Sequence, residues 1–204
     1  MRIDFSELSA NQRYHIMTQV VVPRPIAWVL TDNGDTSYNL APFSYFNGIC
    51  SEPPLVMLSA GMKPTGEIKD TRLNILERAH MVIHIPSVGD AQAVSDTAMT
   101  LPHGESEIEK FGLSLQEEQG WALPRLRDSK VAMMCRYHQH TALGPNKQAI
   151  FFCEVTDVYI DDMVVGNDAK GRIKVDTKSL DPLSRLGANE YASFGEVFTL
   201  SRPL

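Results

Sequence analysis

The chain has 204 residues, a formal net charge of −6, 43% hydrophobic residues and 22% charged residues. These fractions are ordinary for a globular protein, and a chain of this length buries about 70% of its unfolded surface. Disorder and coiled coil are therefore not expected. General nucleic-acid binders neutralise phosphates with many cations, so the acidic balance argues against a nucleic-acid partner.

The cysteines and the N-terminus indicate a reducing compartment. Cys50, Cys135 and Cys153 lie far apart and include no CxxC pair. This odd, scattered set argues against a disulfide framework or a structural zinc site. The first residues show no basic head before an apolar run, so no secretory signal is predicted. Because the apolar stretches are also too short for a membrane helix, we expect a cytoplasmic protein with no membrane partner.

The first half of the chain predicts one helix followed by antiparallel strands. Residues 9–18 predict a short helix that is capped by Ser9. The DNGD residues at 32–35 supply a hairpin turn. The predicted strands cover residues 25–31, 37–46 and 55–60. The third of these strands is apolar enough to be covered on both faces.

The second half predicts more hairpins with helices inserted between them. The apolar period changes at Asp70, where a helix begins at the Asp70-Thr71 pair. Short helices are predicted at residues 90–98 and 105–111. Strands are predicted at 81–85, 131–141 and 149–160, with a turn at Gly144-Pro145-Asn146, and the pieces 163–165 and 194–200 are predicted to close the sheet. Hairpins without strand–helix alternation favour a mainly β, antiparallel barrel, and no linker or repeat divides residues 1–204.

The stretch Asn39-Leu40-Ala41-Pro42-Phe43-Ser44 is the first candidate binding segment. A strand that is interrupted by proline leaves amides and carbonyls unpaired in the sheet and free for a ligand. Ile26, Trp28 and Phe43 offer an apolar wall beside it. The alternative is an ordinary edge strand with a proline bulge.

The Lys69-Asp70-Thr71 string is the second candidate. A helix N-terminus attracts phosphate through its free amides and its dipole. Thr71 adds a hydroxyl group, Lys69 adds a point charge, and Asp70 serves mainly as the helix cap. The alternative is an ordinary Asp cap beside a solvated lysine.

Three further positions complete the candidate site. Arg24-Pro25-Ile26 places a cation and an apolar side chain at the start of a strand, where both could contact a ligand. The alternative is a surface arginine that precedes a proline in an edge strand. Ser59 ends the third strand, where it either faces a ligand or caps a turn. Arg185 and Tyr191 lie in the segment PLSRLGANEY and are further candidates. The alternative is that this segment is only a polar C-terminal turn.

Taken together, the strings RPIAWV from Arg24, NLAPFS from Asn39, KDTRLNI from Lys69 and PLSRLGANEY from Pro182 resemble the flavin reductase-like family. The resemblance implies an FMN-binding split β-barrel, antiparallel and Greek-key-like, with peripheral α-helices. It also implies an NAD(P)H-dependent flavin reductase or a related oxidoreductase, which holds FMN noncovalently near the subunit interface of a homodimer. The implied cofactor contacts are Arg24, Pro25, Ile26, Asn39, Leu40, Ala41, Pro42, Ser44, Ser59, Lys69, Asp70, Thr71, Arg185 and Tyr191.

The chain departs from the family pattern in two places. Ala188 stands where the family has a second glycine, a mild change if its φ is negative. Asn146-Lys147-Gln148 stands where many NAD(P)H-dependent members have Gly-Asp-His. The missing histidine supports an alternative function, an FMN-binding electron carrier or flavin-holding protein without its own nicotinamide site. A third, weaker alternative is the pyridoxamine phosphate oxidase type, which shares the barrel without these strings.

No catalytic residue is assigned from the sequence, because hydride transfer is the chemistry of the cofactor. His138 and His140 alternate along a strand and would point the same way. No third ligand accompanies them at a characteristic spacing, so no metal site is expected. The chain has no GxSxG string, and nucleophilic hydrolysis has no support.

Overall fold

The computed structural model describes residues 1–145 and 148–201, and most of its regular structure is antiparallel β-sheet. The α-helices are α1 (Ala10–Val20), α2 (Asp70–Arg78), α3 (Ala91–Asp96), α4 (Glu107–Phe111) and α5 (Thr177–Leu180). The strands are β1 (Arg24–Pro25), β2 (Ala27–Asp32), β3 (Tyr38–Phe43), β4 (Phe46–Ser51), β5 (Pro54–Ala60), β6 (His80–His84), β7 (Leu115–Gln116), β8 (Arg125–Leu126), β9 (Val131–Leu143), β10 (Gln148–Ile160), β11 (Val165–Asn167), β12 (Ile173–Val175), β13 (Ser184–Arg185) and β14 (Tyr191–Ala192). Short 3-10 helices cover Phe5–Glu7 and Val88–Asp90.

A seven-stranded sheet in the order β3-β2-β6-β9-β10-β5-β4 forms the wall of a barrel. Its outermost strands, β3 and β4, are consecutive in the chain and are separated only by Ser44 and Tyr45. Because the three chain steps from Phe43 to Phe46 reach about 11 Å at most, the sheet has to roll up until its two edges approach each other. The Ser59 amide donates to the Tyr45 carbonyl at 2.9 Å and ties this crossing to β5. The split β-barrel predicted from the sequence is confirmed.

The strands of the barrel alternate between two hydrophobic clusters because successive side chains point to opposite faces. In β2, Ala27 and Val29 face the barrel interior, whereas Trp28 and Leu30 face a second cluster on the outside. The outer cluster is covered by the segment between β6 and β9, which contributes Val94, Ile108, Leu123 and Leu126 among others. This segment therefore lies over the outer face of the sheet, next to the edge strand β3.

His84 connects the covering segment to the sheet through two hydrogen bonds. Its ring is fully buried, with Nδ1 2.9 Å from the Trp28 carbonyl, while Nε2 accepts the Leu126 amide at 2.9 Å. These two bonds require the neutral ring with the proton on Nδ1. Burial accordingly lowers the pKa of His84 to about 4.

The helix ends follow the local sequence. Ser9 caps α1 as predicted and forms a capping box with Gln12, and the helix ends at Val20, at the start of the valine run. Helix α2 begins at Asp70 as predicted, but Lys69 occupies the N-cap position and provides no side-chain cap. The prediction that Asp70 caps the helix is therefore wrong, because its carboxylate makes ion pairs instead.

Several predicted strands have other boundaries. The predicted strand 37–46 is two strands, since the chain crosses between the two edges of the sheet at Ser44. The strand predicted near 163–165 pairs in a separate two-stranded hairpin, β11 with β12, and does not close the barrel. Residues 194–200 form no strand, and Phe198 and Leu200 there are 77% and 79% exposed.

The remaining strand predictions hold with smaller changes. The long hairpin of β9 and β10 is confirmed, although Asn146 of its predicted turn lies outside the described residues. Strand β5 is covered mainly on one face, because Val56, Leu58 and Ala60 are buried and the alternate residues are partly exposed. Among the described residues, no helix has the length and apolar character needed to cross a membrane.

Candidate functional site

A branched cleft runs along the edge strand β3, where the barrel wall is open. It consists of three connected cavities of about 240, 100 and 350 Å³, and all three are lined by Pro42. These volumes suit a cofactor-sized ligand. We name the three parts by their characteristic residues: the arginine end contains Arg24 and Arg185, the lysine end contains Lys63 and Lys69, and the glutamine end contains Gln148.

Lys69 stands where the lysine end meets the glutamine end. Its Nζ lies 5.3 Å from the centre of the Phe43 ring, and no carboxylate in the described residues pairs with it. Burial lowers the pKa of Lys69. Because Lys69 is also the N-cap of α2, its cation lies at the helix end whose first amides are left without intrahelical acceptors.

The carboxylate of Asp70 is neutralised within the lysine end. Asp70 is buried, and its two oxygens lie 2.9 Å from Lys63 Nζ and 2.6 Å from His103 Nδ1. Lys63 is itself buried and donates a second bond to the Leu101 carbonyl. The negative charge of Asp70 is therefore compensated, whereas Lys69 has no carboxylate partner among the described residues. Glu107 also lines this end and accepts the Leu40 amide.

A network of amides and hydroxyls joins β3 to α2 beneath the lysine end. The Asn39 amide donates to Thr71 Oγ1 at 2.8 Å and to Thr31 Oγ1 at 3.3 Å. Asn74 donates to the same Thr31 hydroxyl oxygen at 3.1 Å. Asn39, Thr71 and Asn74 are nearly fully buried, so the network fixes the start of α2 relative to the edge strand.

The free edge of β3 is less available to a ligand than its proline suggests. The Leu40 amide donates to Glu107 Oε2 at 2.9 Å, and the Tyr38 carbonyl accepts the Ser106 hydroxyl at 2.6 Å. Burial raises the pKa of Glu107. The predicted free amide at Leu40 is therefore wrong, because the first turn of α4 occupies this part of the edge.

The glutamine end places Gln148 beside Ser59. The Gln148 amide donates to Ser59 Oγ at 2.8 Å, and both residues line the cavity with Gly61, Phe43 and Lys69. A Cβ at Gly61 would lie 2.9 Å from Gln148 Oε1, so a side chain there would displace the glutamine. Gln148 thus stands in the cleft at the position where the family pattern predicts histidine.

The arginine end is built around the buried guanidinium of Arg24. Its Nη1 donates to the Thr18 and Val21 carbonyls at 2.7 Å each, and its Nη2 donates to the Leu186 carbonyl at 2.7 Å. Its Nε lies 3.3 Å from the hydroxyl oxygen of Ser44. Arg24 therefore fixes α1 and the C-terminal turn against the chain crossing.

Arg185 and Tyr191 form the outer wall of the arginine end. The Arg185 guanidinium lies 4.5 Å from the centre of the Tyr191 ring and donates to the Ala188 carbonyl. Ala188 has φ +48°, so the condition under which replacing this family glycine would be a mild change is not met. The turn is left-handed here, which an alanine adopts at some conformational cost.

Most of the predicted contact residues line the cleft. These are Arg24, Ile26, Asn39, Ala41, Pro42, Ser44, Ser59, Lys69, Asp70, Thr71, Arg185 and Tyr191. Pro25 and Leu40 do not line it. Pro25 is exposed in β1, where it pairs with Ser184, and the Leu40 side chain is buried in the outer cluster.

Trp28, predicted as part of the apolar wall, also lies outside the cleft. It packs in the outer cluster and donates from Nε1 to the Thr97 hydroxyl at 2.9 Å. The wall is instead formed by Phe43 at the glutamine end and by Ile26 at the arginine end.

Sequence reasoning missed the residues that reach the cleft from distant segments. The lining that it did not predict includes Tyr14, His15, Thr18, Lys63, Thr97, Ala98, Leu101, Glu107 and Gln148. None of them belongs to a string that stands out locally. Gln148 alone had a signal, since it occupies the position of the missing histidine.

Comparison with known proteins agrees with this fold. The model of the flavin reductase-like domain matches residues 17–174. An uncharacterized protein of Halalkalibacterium halodurans is 34% identical over 205 residues, covering 100% of this chain and 97% of the relative. Nitrilotriacetate monooxygenase component B from Bacillus cereus superposes with a TM-score of 0.88 at 31% identity, covering 98% of both chains. A protein with a split barrel domain from Shewanella frigidimarina shares the fold, with a TM-score of 0.85, 20% identity and 100% coverage of both chains. The chain belongs to the flavin reductase-like domain family.

Proposed function

We propose that the protein binds FMN noncovalently in this cleft and acts as a flavin-dependent oxidoreductase. In this proposal the phosphate lies at the lysine end, and the ring lies against Phe43 at the glutamine end. The observation that carries the proposal is the unpaired Lys69 cation at the N-terminus of α2, directly beside Phe43. A flavin nucleotide combines a planar apolar ring with a dianionic phosphate and matches this pairing.

The residues of the cleft fit such a group. Lys69 provides the charge for a phosphate, and the first amides of α2 provide donors. Lys63 neutralises Asp70, which would otherwise repel a phosphate at the same helix end, and His103 lies within hydrogen-bond distance of the second oxygen of Asp70. Ser44 and Ser59 provide hydroxyl groups along the wall.

The protein's part in the chemistry is to bind the flavin, to orient it and to shield it from water. A bound flavin supplies hydride or electron transfer, for which no acid–base side chain is required. The covering segment between β6 and β9 restricts water on one side of the cleft, where Thr97, Ala98 and Leu101 line it. The network of Asn39 and Thr71 holds the two binding segments at a fixed separation.

The first test is whether the purified protein is yellow and what mass its released chromophore has. FMN titrated into the apoprotein and followed by flavin fluorescence should show saturable binding at one site per chain. A colourless protein that does not quench FMN fluorescence would contradict the proposal.

The electron donor separates two candidate functions. The family relationship favours an NAD(P)H-dependent reductase, whereas Gln148 at the histidine position favours an electron carrier without its own nicotinamide site. A neutral amide that is bonded to Ser59 offers less to a nicotinamide than a free imidazole, and misplacement of a reactant by 1 Å costs about 100-fold in rate. We therefore expect slow reduction by NADH and NADPH and fast reduction by dithionite in stopped-flow experiments.

Gln148→His tests that expectation directly. We expect the variant to be reduced faster by NADH than the wild type, with FMN affinity changed by less than about threefold. Gln148→Asn is the matched control, because it shortens the amide without adding a ring. Rapid reduction of the wild-type protein by NADH would contradict the carrier function and restore the plain reductase function.

We also propose that the protein is a cytoplasmic homodimer and that residues 1–204 act as one domain. Thr18 is the one buried residue of helix α1. The large apolar residues Tyr14, Met17 and Val20 of the same helix are 61%, 41% and 65% exposed. An isolated helix of this length is marginal in water, so a partner that covers its apolar side chains would stabilise it. The three free cysteines of the described residues fit a reducing compartment.

Light scattering tests the dimer. We expect about twice the 22.7 kDa mass of one chain, and Met17→Glu on α1 should shift the protein toward the monomer. A clean monomer that binds FMN tightly at micromolar concentration would contradict it.

A further inference from the structure

We propose that the arginine end of the cleft is a second ligand site, which binds a small aromatic carboxylate beside the flavin through Arg185. This inference rests on the proposed binding of FMN in the adjoining part of the cleft. The two sites share Pro42 and Ser44, so a ligand at the arginine end would lie next to the flavin rather than in its place.

The charge of this cavity selects an anion. None of its described lining residues is acidic, and neither Arg24 nor Arg185 forms an ion pair within the described part of the chain. Arg24 uses most of its donors on the Thr18, Val21 and Leu186 carbonyls. It therefore builds the wall, and Arg185 remains as the cation for a ligand.

Arg185 has the geometry that carboxylate recognition needs. Its guanidinium lies over the Tyr191 ring at 4.5 Å, and its one hydrogen bond in the described structure goes to the Ala188 carbonyl. A stacked guanidinium is held in a fixed plane, and its remaining donors match the two oxygens of a carboxylate. Lysine cannot reproduce this paired contact.

The size and walls of the cavity select an aromatic body. An apolar cavity of about 150 Å³ accommodates benzene, and the arginine end encloses about 240 Å³. A benzene ring that carries one carboxylate therefore fits, with its ring between Tyr191 and the apolar residues Ile26 and Val94. Tyr14 also lines this cavity.

The phosphate of the flavin has a better site elsewhere in the cleft. The lysine end combines an unpaired cation with a helix N-terminus, both of which favour phosphate. No helix N-terminus lines the arginine end, and its buried Arg24 spends most of its donors on the Thr18, Val21 and Leu186 carbonyls. The two ends are therefore expected to hold two different ligands at the same time.

Benzoate is the probe for this site. FMN-loaded protein is titrated with benzoate, and binding is followed by calorimetry and by the change in the flavin absorbance spectrum. We expect saturable millimolar or tighter binding that leaves the FMN in place. Benzyl alcohol, which has the ring but lacks the charge, should bind at least tenfold more weakly.

Arg185→Met should weaken benzoate binding by roughly 10- to 100-fold, because a charged paired contact is lost. Arg185→Lys should recover only part of it, and Arg2→Met, an exposed arginine outside the cleft, should change nothing. All three variants are titrated with benzoate at saturating FMN, and their FMN affinity is measured separately, so that a loss of benzoate binding is not confused with a loss of FMN.

Three outcomes would overturn the proposal. They are no benzoate binding to the loaded protein, benzoate binding that Arg185→Met does not change, and benzoate that displaces FMN. Failure of FMN binding itself is a separate result, seen in the titration without benzoate, and it would count against the proposed function first.

Discussion

Replacing Lys69 with methionine and Thr71 with valine together is expected to weaken FMN binding by about 100-fold or more. A hydrogen bond to a charged group contributes roughly 1.5–3 kcal/mol, and the double variant removes the unpaired cation and a hydroxyl group from the phosphate site. Fluorescence titration of the apoprotein with FMN measures the loss directly.

Riboflavin is the matched ligand for this experiment, because it keeps the ring and lacks the phosphate. Its affinity should change by less than about threefold in the same variant. Thr71→Ser is the matched control, since it keeps the hydroxyl group that accepts the Asn39 amide at 2.8 Å. Equal losses for FMN and riboflavin would show that the substitutions disturb the cleft as a whole, and unchanged FMN affinity would remove both residues from the site.

The free energy of unfolding is expected to fall by about 2 kcal/mol between pH 7.5 and pH 5, largely through His84. The pKa of this buried ring is about 4 in the folded protein and 6.5 when unfolded. Because the folded pKa is the lower one, the stabilisation is fully present above pH 6.5 and is lost as the pH falls toward 4. Urea unfolding at a series of pH values measures the slope.

His84→Phe should abolish most of that slope and lower stability at pH 7.5. The substitution leaves the Trp28 carbonyl and the Leu126 amide without their partner, and each buried unpaired group costs about 1–3 kcal/mol. A variant that keeps the wild-type slope between pH 6.5 and 5 would show that other groups set the acid sensitivity.

The sequence predicted the elements whose signals are local. Ser9 and Gln12 form a capping box within one helical turn, and the DNGD turn joins two strands that are neighbours in the sheet. The contact segments around Asn39 and Lys69 were found for a similar reason, since each is a contiguous string. In both cases the residues that decide the structure are close together in the chain.

The rest depended on contacts that only the rolled sheet creates. Glu107 reaches the Leu40 amide across 67 positions of the chain, and Gln148 reaches Ser59 across 89. Neither the Glu107 carboxylate nor the Gln148 amide lies in a local sequence pattern that identifies its hydrogen-bond partner. The same holds for His103, which pairs with Asp70 from a loop 33 positions away.

Alternation along a strand explains why two of the predicted contact residues do not line the cleft. Pro25 and Leu40 belong to sequence motifs whose other residues line the cleft. A motif includes every consecutive residue, whereas a β-strand turns only alternate side chains toward the same face. Asn39 and Ala41 therefore line the cleft, and Leu40 between them packs in the outer cluster.

The two-residue crossing at Ser44 and Tyr45 affects how firmly the two edges of the sheet are held together. Strands β3 and β4 are the outer edges of the sheet and exchange no ladder hydrogen bonds, so the barrel has a seam. The cleft lies on the β3 side of that seam, and its lining also includes Ser44 and Tyr45 of the crossing and Ser59 of β5. A molecule held there therefore joins β3 to the crossing and to β5. Occupancy should therefore slow amide hydrogen exchange along β3 and at the Ser44-Tyr45 crossing more than in the central strands β6 and β9, while raising the melting temperature through mass action.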